Sequence, residues 1–487
     1  MSAHLAGPFP FVLEHQYADD VPALSTPWRA MAPPRPQLVV LNTDLAGELG
    51  LDPEWLASPV GLDFLTGQVP TTVPTAAQAY AGHQFGAYSP LLGDGRALLL
   101  GEVVTGDGAR HDLHLKGSGP TPYARRGDGR AVLSAMLREH VIGEALHALG
   151  VPTTRALAVV TTGEEVVRDT PHPGAILCRV AASHLRVGTF QYAAARGDVN
   201  VVSALADHAI RRHYPQLMDS ADRYVGFYEQ VVSAQAALVA AWMGVGFVHG
   251  VMNTDNTTIS GQSIDFGPCA FLDRYDPAAV FSSIDVSGRY AFGHQPGITQ
   301  WNLARLGEAL LPLLGRDEEA AVSRATEVLS TFPQKYRDQW VQVMSSKLAL
   351  PTADPVLIRD LMVVLEQGAV DFTVFFRALA TGEARSLFSD SRGYDGWVGR
   401  WRSAVGMASE GDVDPMVAAA MDRVNPAYVP RHHLVEEALA AATGGDISAY
   451  ARLVRAVSAP WTARADWEDL AAPPPVGTPP TVTFCGT

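Results

Sequence analysis

Between residues 97 and 181 the apolar positions fall into short runs separated by glycine-bearing turns. ALLLGEVV (97–104) and DLHLKG (112–117) are such runs, and the turn GDGA between them predicts a pair of strands. ALAVVTT and EEVVRD predict two more, meeting in a turn at Gly163, and GAILCRVA (174–181) predicts the next. One segment breaks the series. In RAVLSAMLREHVIGEALHALG, Leu133, Leu137, Val141, Ala145 and Leu149 recur on one helical stripe, with Gly150 as a stop. Past residue 200 the helical period takes over, in ALADHAIRRHY, in VGFYEQVVSAQAALVAAWMGVGF and across most of 300–470. A polar stretch, HGVMNTDN, interrupts the helices, and after it TTI and SIDF predict a short hairpin across Ser260-Gly261.

The first 75 residues are punctuated by proline and hold short helical pieces such as DLAGELGLDPEWLAS, which predicts an extension packed on the remainder of the chain. The end, LAAPPPVGTPPTVTFCGT, is a Pro-rich tail not expected to join a core. The expected organisation is an N-terminal extension (1–75), a β-rich lobe (76–190), a helical lobe (191–330), a helical C-terminal region (331–470) and the tail (471–487). No internal repeat is visible. The fold class is α+β.

Composition narrows the function classes. A chain of 487 residues is too long for one ordinary core, and its 47% hydrophobic and 18% charged content describes a globular protein. Thirty-six basic against 51 acidic residues give −15, which argues against a general nucleic-acid or anionic-membrane binder. A local basic cluster is still present at Lys116, Arg125, Arg126 and Arg130. The three cysteines, Cys178, Cys269 and Cys485, form no CxxC and no metal-type spacing, so structural zinc is not expected and a reducing compartment fits. The first residues lack a basic and apolar leader, and no window approaches the ~18 apolar residues of a spanning helix. The expected setting is soluble and cytoplasmic.

The chemistry concentrates in HGVMNTDNTTISGQSIDFG (249–267), which has the outline of a kinase catalytic loop followed by its DFG. A kinase of the aminoglycoside-kinase type carries an Asp at the third position, where it takes the proton of the acceptor hydroxyl. Here that position is Val251, which takes none. Asn256 still stands at the metal-ligand position, Asp265 heads the DFG, and an extra carboxylate, Asp255, precedes the Asn. Mg²⁺ takes one or two oxygen ligands from protein and the rest from phosphate and water, which suits Asn256 and Asp265. An Asx-rich turn with a chance DFG would look the same locally. His249 has a structural role at its position.

Upstream, Gly93-Asp94-Gly95-Arg96 forms a turn whose backbone N–H groups can approach phosphate, although GDG is also an ordinary hairpin turn. Lys116 ends a strand and Glu139 lies on the next helix, the kinase arrangement in which the pair lets the lysine hold phosphate oxygens. Taken singly, both read as surface charge. Arg179 and Arg186 read either as surface residues or as cations facing a polyphosphate. Asp128-Gly129 sits where a cap for the 131–149 helix belongs, and the two histidines of HDLH (111–114) have no third ligand nearby, so no metal is expected there. Gly turn, strand Lys, helix Glu, polar loop and DFG stand in the order of a two-lobed protein-kinase-like fold. A small-molecule phosphotransferase and a non-catalytic nucleotide-binding scaffold remain alternatives to any other ATP-dependent reaction.

Longer stretches narrow this. AYAGHQFGAYSPLLGDGRALLLGE, DLHLKGSGPTPYARRGDGRAVL, HGVMNTDN with IDFGPCAFLD, and GRYAFGHQPGITQWNLARL resemble the selenoprotein O family, from about residue 8 to the last cysteine. The resemblance implies a kinase-like fold acting as a protein adenylyltransferase, with ATP flipped relative to kinases and AMP passed to Ser, Thr or Tyr hydroxyls of proteins. It implies that Gly93, Gly95, Arg96, Lys116, Asp128, Gly129, Arg179, Arg186 and Asp265 contact ATP and that Glu139 positions Lys116. It makes Asp255 the proton acceptor and Asn256 and Asp265 the ligands of Mg²⁺ or Mn²⁺. A flipped nucleotide presents its α-phosphate, so the carboxylate missing at Val251 is not needed. Eukaryotic members carry selenocysteine near the C-terminus and many bacterial ones Cys, the place of Cys485; a tail thiol pairing with Cys269 would be redox sensitive. Two positions depart from the family, His432 in place of an Asn and SPLLG (89–93) without a Gln before its Gly, and both bear on substrate details. The expected partners are ATP and protein substrates, with no nucleic acid or membrane, for a monomer.

Overall fold

The computed structural model describes residues 9–408, 410–475, 477–479 and 481–484. In chain order the strands are β1 (Ser25–Pro27), β2 (Gln37–Leu41), β3 (Ala76–Gln78), β4 (Gly82–Gln84), β5 (Ala87–Ser89), β6 (Ala97–Val104), β7 (Arg110–Lys116), β8 (Arg155–Val167), β9 (Pro171–Ala181), β10 (Phe247–Val248) and β11 (Ala270–Phe271), the last two pairing with each other. Seven of them form one sheet in the order β1-β3-β6-β7-β9-β8-β2, antiparallel throughout, while β4 and β5 pair as a separate hairpin. Both edge strands come from the first 75 residues. The proline-punctuated start therefore completes the sheet as well as packing on it, and Pro27 sits on an edge, where proline is tolerated.

The sheet is covered on both faces. Leu98, Leu100, Leu113, Leu115 and Val160 pack with Leu45, Leu56, Phe64 and Leu65 of the N-terminal helices. Ala156, Val159, Ala175 and Leu177 pack instead with Met136, Leu137 and Val141 of helix α1 (Leu133–Ala148). The α1 stripe is as the sequence predicts, but the helix is buried well beyond it. Helices His432–Thr443 and Ser448–Val457 lie on another of its faces, so Glu139, His140 and Glu144 are interior and must be paired. His140 Nδ1 meets Tyr450 Oη at 2.7 Å, and Glu144 binds Arg155 through two hydrogen bonds.

Three local expectations change. Gly163 is not a hairpin turn: β8 runs on through it with a register shift between Thr161 and Glu165, and the reversal to β9 comes after Val167. Gly163 has φ +76°, a conformation that serves a bulge as well as a turn. TTI and SIDF do not pair with each other; Thr258 bridges Arg186 and Ser263 bridges Thr153, while the Thr258 Oγ1 closes the turn by bonding Gln262. The tail is also not wholly free. Thr483 is 1% exposed, bridges Ser282 and donates to the carbonyl of Pro268 at 2.6 Å, although Cys485 lies outside the described residues.

Beyond the sheet the chain is helical, as its period predicts. Three helices matter for the site: α2 (Val187–Ala195), α3 (Arg223–Val245) and α4 (Gln295–Leu314). The C-terminal helices are tied to the segment after the DFG by Arg431, whose buried guanidinium binds Asp273 at 2.6 Å and Asp371 at 2.9 Å. Among the described residues no helix is long and apolar enough to cross a membrane.

Candidate active site

The register of β7 against β9 sets the first half of the site. His114 faces Arg179 across the ladder, and side chains two apart share a face, so Lys116 and Arg179 project together. Helix α1 presents Glu139 to both: Oε1 accepts from Lys116 Nζ at 2.8 Å and Oε2 from Arg179 Nη2 at 2.9 Å. Glu139 Oε1 also accepts from the backbone N–H of Phe266 at 3.0 Å, fixing the DFG segment to the helix.

Asp265 completes the cluster. Its Oδ1 accepts from Lys116 at 2.6 Å and Arg179 at 2.7 Å, and its Oδ2 from Arg186 at 3.1 Å. Three cations thus surround two carboxylates. Burial alone would raise the pKa of each acid, but the Lys116 and Arg179 charges, joined at Asp265 by Arg186, hold both below the usual carboxylate range. Asp265 has φ +65°, a left-handed conformation uncommon outside glycine that Asp tolerates better than most residues. Arg186 stacks over Tyr80 at 4.7 Å and donates to the backbone carbonyl of Asp255 at 2.7 Å, so one guanidinium spans both acidic residues.

Asp255 lives under the opposite regime. It is 7% exposed, its Oδ2 accepts only from Gln84 Nε2 at 3.2 Å, and its Oδ1 is buried without a partner. Burial pushes its carboxyl up to about 6 against the opposing pull of Arg186. The β4–β5 hairpin lies directly on this loop. His83 N–H donates to Thr254 Oγ1 at 2.7 Å, Phe85 N–H to Asn253 Oδ1 at 3.0 Å, and Tyr290 Oη to the same Asn253 oxygen at 2.6 Å. Gln191 of α2 accepts from Thr254 at 2.6 Å. Gly82 is needed for the close approach, because a Cβ there would stand 2.5 Å from Asp255 Oδ1.

Val251 is buried, and His249 bonds the Ile264 carbonyl at 2.8 Å, a structural anchor between loop and DFG. Asn256 donates its Nδ2 to the Val251 carbonyl at 3.0 Å, which fixes the amide and turns its oxygen away from that bond. Among the described residues no three His, Cys, Asp or Glu side chains are arranged to hold a metal ion. One carboxylate and one amide oxygen are nevertheless a fitting donor set for a hard cation that draws its other ligands from phosphate and water.

Gly93 and Gly95 flank the buried Asp94, whose Oδ2 meets His114 Nε2 and the Gln78 N–H, both at 2.9 Å, pinning the turn beside β7. Arg96, half-buried, feels the Asp265 and Glu139 charges. Asp128 and Gly129 stand apart from this cluster. Asp128 is exposed and bound by Arg168 at 2.8 and 3.2 Å, and it does not cap α1, whose N-cap is Val132 without a side-chain bond. The basic cluster expected at 116–130 does not assemble either: Arg125 and Arg126 are exposed and Arg130 faces Glu164. The cations that meet are Lys116, Arg179 and Arg186. Cys269 is buried, pushed up to about 12 by desolvation, and donates to the Phe266 carbonyl. Sequence reasoning missed Tyr80, Gly82, Gln84, Asn253 and Tyr290; AYAGHQFG and GRYAFG were visible as stretches, but nothing local says which residue meets the loop.

Comparison with known proteins gives the family. The family model described as Protein adenylyltransferase SelO matches residues 12–458. The chain is 54% identical over 490 residues to the Protein nucleotidyltransferase YdiU of Pseudarthrobacter chlorophenolicus, covering 97% of each. It is 53% identical to that of Mycolicibacterium smegmatis, covering 98% of each, and 51% identical to that of Cereibacter sphaeroides, covering 98% of this chain and 100% of the relative. The chain belongs to the SelO family of protein adenylyltransferases, enzymes of the nucleotidyltransferase class.

Proposed function

We propose that the protein transfers AMP from ATP to Ser, Thr or Tyr hydroxyls of other proteins, within a two-lobed kinase-like frame whose nucleotide is flipped relative to kinases. The observation that carries this reading is the displaced carboxylate. Val251 is inert where a kinase keeps its base, while Asp255 is buried, basic for an aspartate and unpartnered at one oxygen. Such a group suits general-base work near neutral pH.

Lys116, Arg179 and Arg186 would hold the polyphosphate, with Gly93, Gly95 and Arg96 at the turn and Asp128 and Gly129 reaching the nucleotide from the 120–130 segment. The three cations bind Asp265. Phosphate oxygens are alternative partners for them, and that exchange releases the Asp265 carboxylate to hold Mg²⁺ or Mn²⁺ together with Asn256. The bound cation would neutralise phosphate charge. Asp255 takes the acceptor's hydroxyl proton, the hydroxyl oxygen bonds the α-phosphorus, and pyrophosphate leaves. The charge that develops meets cations already fixed in place. A Cys269–Cys485 pairing would place redox control at the same site.

Incubation with divalent cation and a protein acceptor, once with α-labelled and once with γ-labelled ATP, tests the reading. Label from α only is expected. Label from γ only would make the protein a phosphotransferase, and ATP binding with neither label would make it a scaffold. A second expectation concerns the fit of the hairpin. Gly82→Ala displaces Asp255 without touching ATP ligands, so transfer falls by about ten- to a hundredfold with ATP affinity kept. Steady-state kinetics beside ATP titration checks this, and unchanged turnover would detach Asp255 from the chemistry.

A further inference from the structure

We propose that a depression beside the β4–β5 hairpin docks the acceptor protein and that Arg289 in it reads a carboxylate side chain near the acceptor hydroxyl; what is docked rests on the AMP-transfer reading above. The depression has a volume of about 540 Å³ and is lined by Phe85, Ser287, Arg289, Gly293, His294 and Ile298. It draws on two stretches of sequence that also hold the 249–267 loop, the hairpin tip and GRYAFGHQPGITQW.

Arg289 differs from the site's other arginines. Arg179 and Arg186 are ion-paired with internal acids, whereas Arg289 makes no ion pair among the described residues. The acid next to it in the chain, Asp285, is consumed by the backbone N–H groups of Arg289 at 2.9 Å and Tyr290 at 2.7 Å. The guanidinium lies over Trp301 at 4.8 Å, a ring that also carries Arg305, and Arg305 has its own partner in Glu308 at 2.7 Å. A cation fixed on an aromatic plane and without an acid of its own is suited to take a carboxylate from outside.

The position ties this cation to the reacting centre. Tyr290, the next residue, bonds Asn253 in the catalytic loop, and the same oxygen receives the Phe85 N–H. Gln84, one residue before Phe85, holds Asp255. Phe85 has φ +51°, a strained conformation for a bulky residue, and its ring meets Tyr290 at 5.0 Å on the edge of the depression. Tyr88, Ile284 and the 96%-exposed Val286 add apolar surface to the two segments that frame it. Aromatic anchors around one arginine are the usual composition of an interface centre. A chain carrying −15 repels acidic partners at long range, so a single unneutralised arginine selects for an acid at one place.

The test uses full-length protein and synthetic peptides with one Ser, Thr or Tyr, differing only in Glu against Gln at single positions on either side. Binding is read by fluorescence anisotropy and transfer by α-labelled ATP. For at least one position the Glu peptide is expected to bind and to be labelled about fivefold better, the scale of one partly screened ion pair. Arg289→Ala should reduce this preference to none while labelling the Gln peptide within about twofold of wild type, and Arg289→Glu should prefer the Lys peptide. Equal use of Glu and Gln peptides by wild type overturns the proposal whatever the variants do, as does a preference that survives Arg289→Ala. Selective binding without α-label keeps the docking surface and rejects AMP transfer; transfer without selectivity does the reverse.

Discussion

Asp265→Ala is expected to lower transfer by at least about a thousandfold and to destabilise the ATP-free protein, with ATP restoring part of the loss. The carboxylate is shared by Lys116, Arg179 and Arg186. Its removal leaves Lys116 and Arg179 to share Glu139 and Arg186 with only the Asp255 carbonyl, and breaking a buried pair by deleting one partner costs about 3–5 kcal/mol. The Asp265 side chain keeps some solvent access, which places the loss near the lower end. For activity, losing the proposed ligand of a charge-neutralising cation would remove several kcal/mol of transition-state stabilisation, hence the thousandfold. On the proposed reading polyphosphate binds the same three cations, so ATP without divalent cation should raise the melting temperature more in Asp265→Ala than in wild type. Thermal unfolding with and without ATP, beside the α-label assay, separates the effects. Full activity in the variant would refute the cation-ligand assignment, and an unchanged melting temperature would refute the shared-charge cluster.

That cluster shows how much of the site was legible in the sequence. The loop 249–267 singles out Asp255, Asn256 and Asp265 as candidates, because a polar loop followed by a DFG is a local pattern, although an Asx-rich turn would look the same. Lys116, Glu139, Arg179 and Arg186 are not legible singly. Each sits in a run where a solvated charge is ordinary, and only the β7–β9 register and the burial of α1 by the C-terminal helices bring them together. The long strands and the helices follow from their period. The edge strands Ser25–Pro27 and Gln37–Leu41 do not, being too short to show alternation and stabilised by partners far along the chain. Gly163 and the Thr258–Ser263 turn fail for a related reason: positive φ and short polar residues serve bulges, bridges and hairpins alike, and distant partners such as Arg186 and Thr153 decide which.

Asp255→Asn is expected to abolish transfer and at the same time to stabilise the metal-free protein, the opposite thermal effect from Asp265→Ala. Two carboxylates flank one loop under opposite fields: three cations hold Asp265 down, while burial drives Asp255 up to about 6. A group whose folded pKa exceeds its unfolded 3.8 opposes folding once it is ionised in both states. Above pH 6 that opposition is about 3 kcal/mol, it shrinks as pH falls, and below 3.8 it vanishes because both states carry the proton. The amide keeps the shape and can still bond Gln84, so Asp255→Asn should melt higher than wild type at pH 7.5, with the difference narrowing near pH 4.5. Loss of a general base costs about 10²- to 10⁴-fold in transfer. Melting curves across that pH range and the α-label assay on the same preparation decide the matter. A variant that transfers AMP normally removes Asp255 as base, and one that melts lower at neutral pH shows that its charge is compensated by a partner. A carboxylate that weakens the fold while the reaction depends on it would be retained for its chemistry, which is why Gly82 and Gln84 hold it so closely.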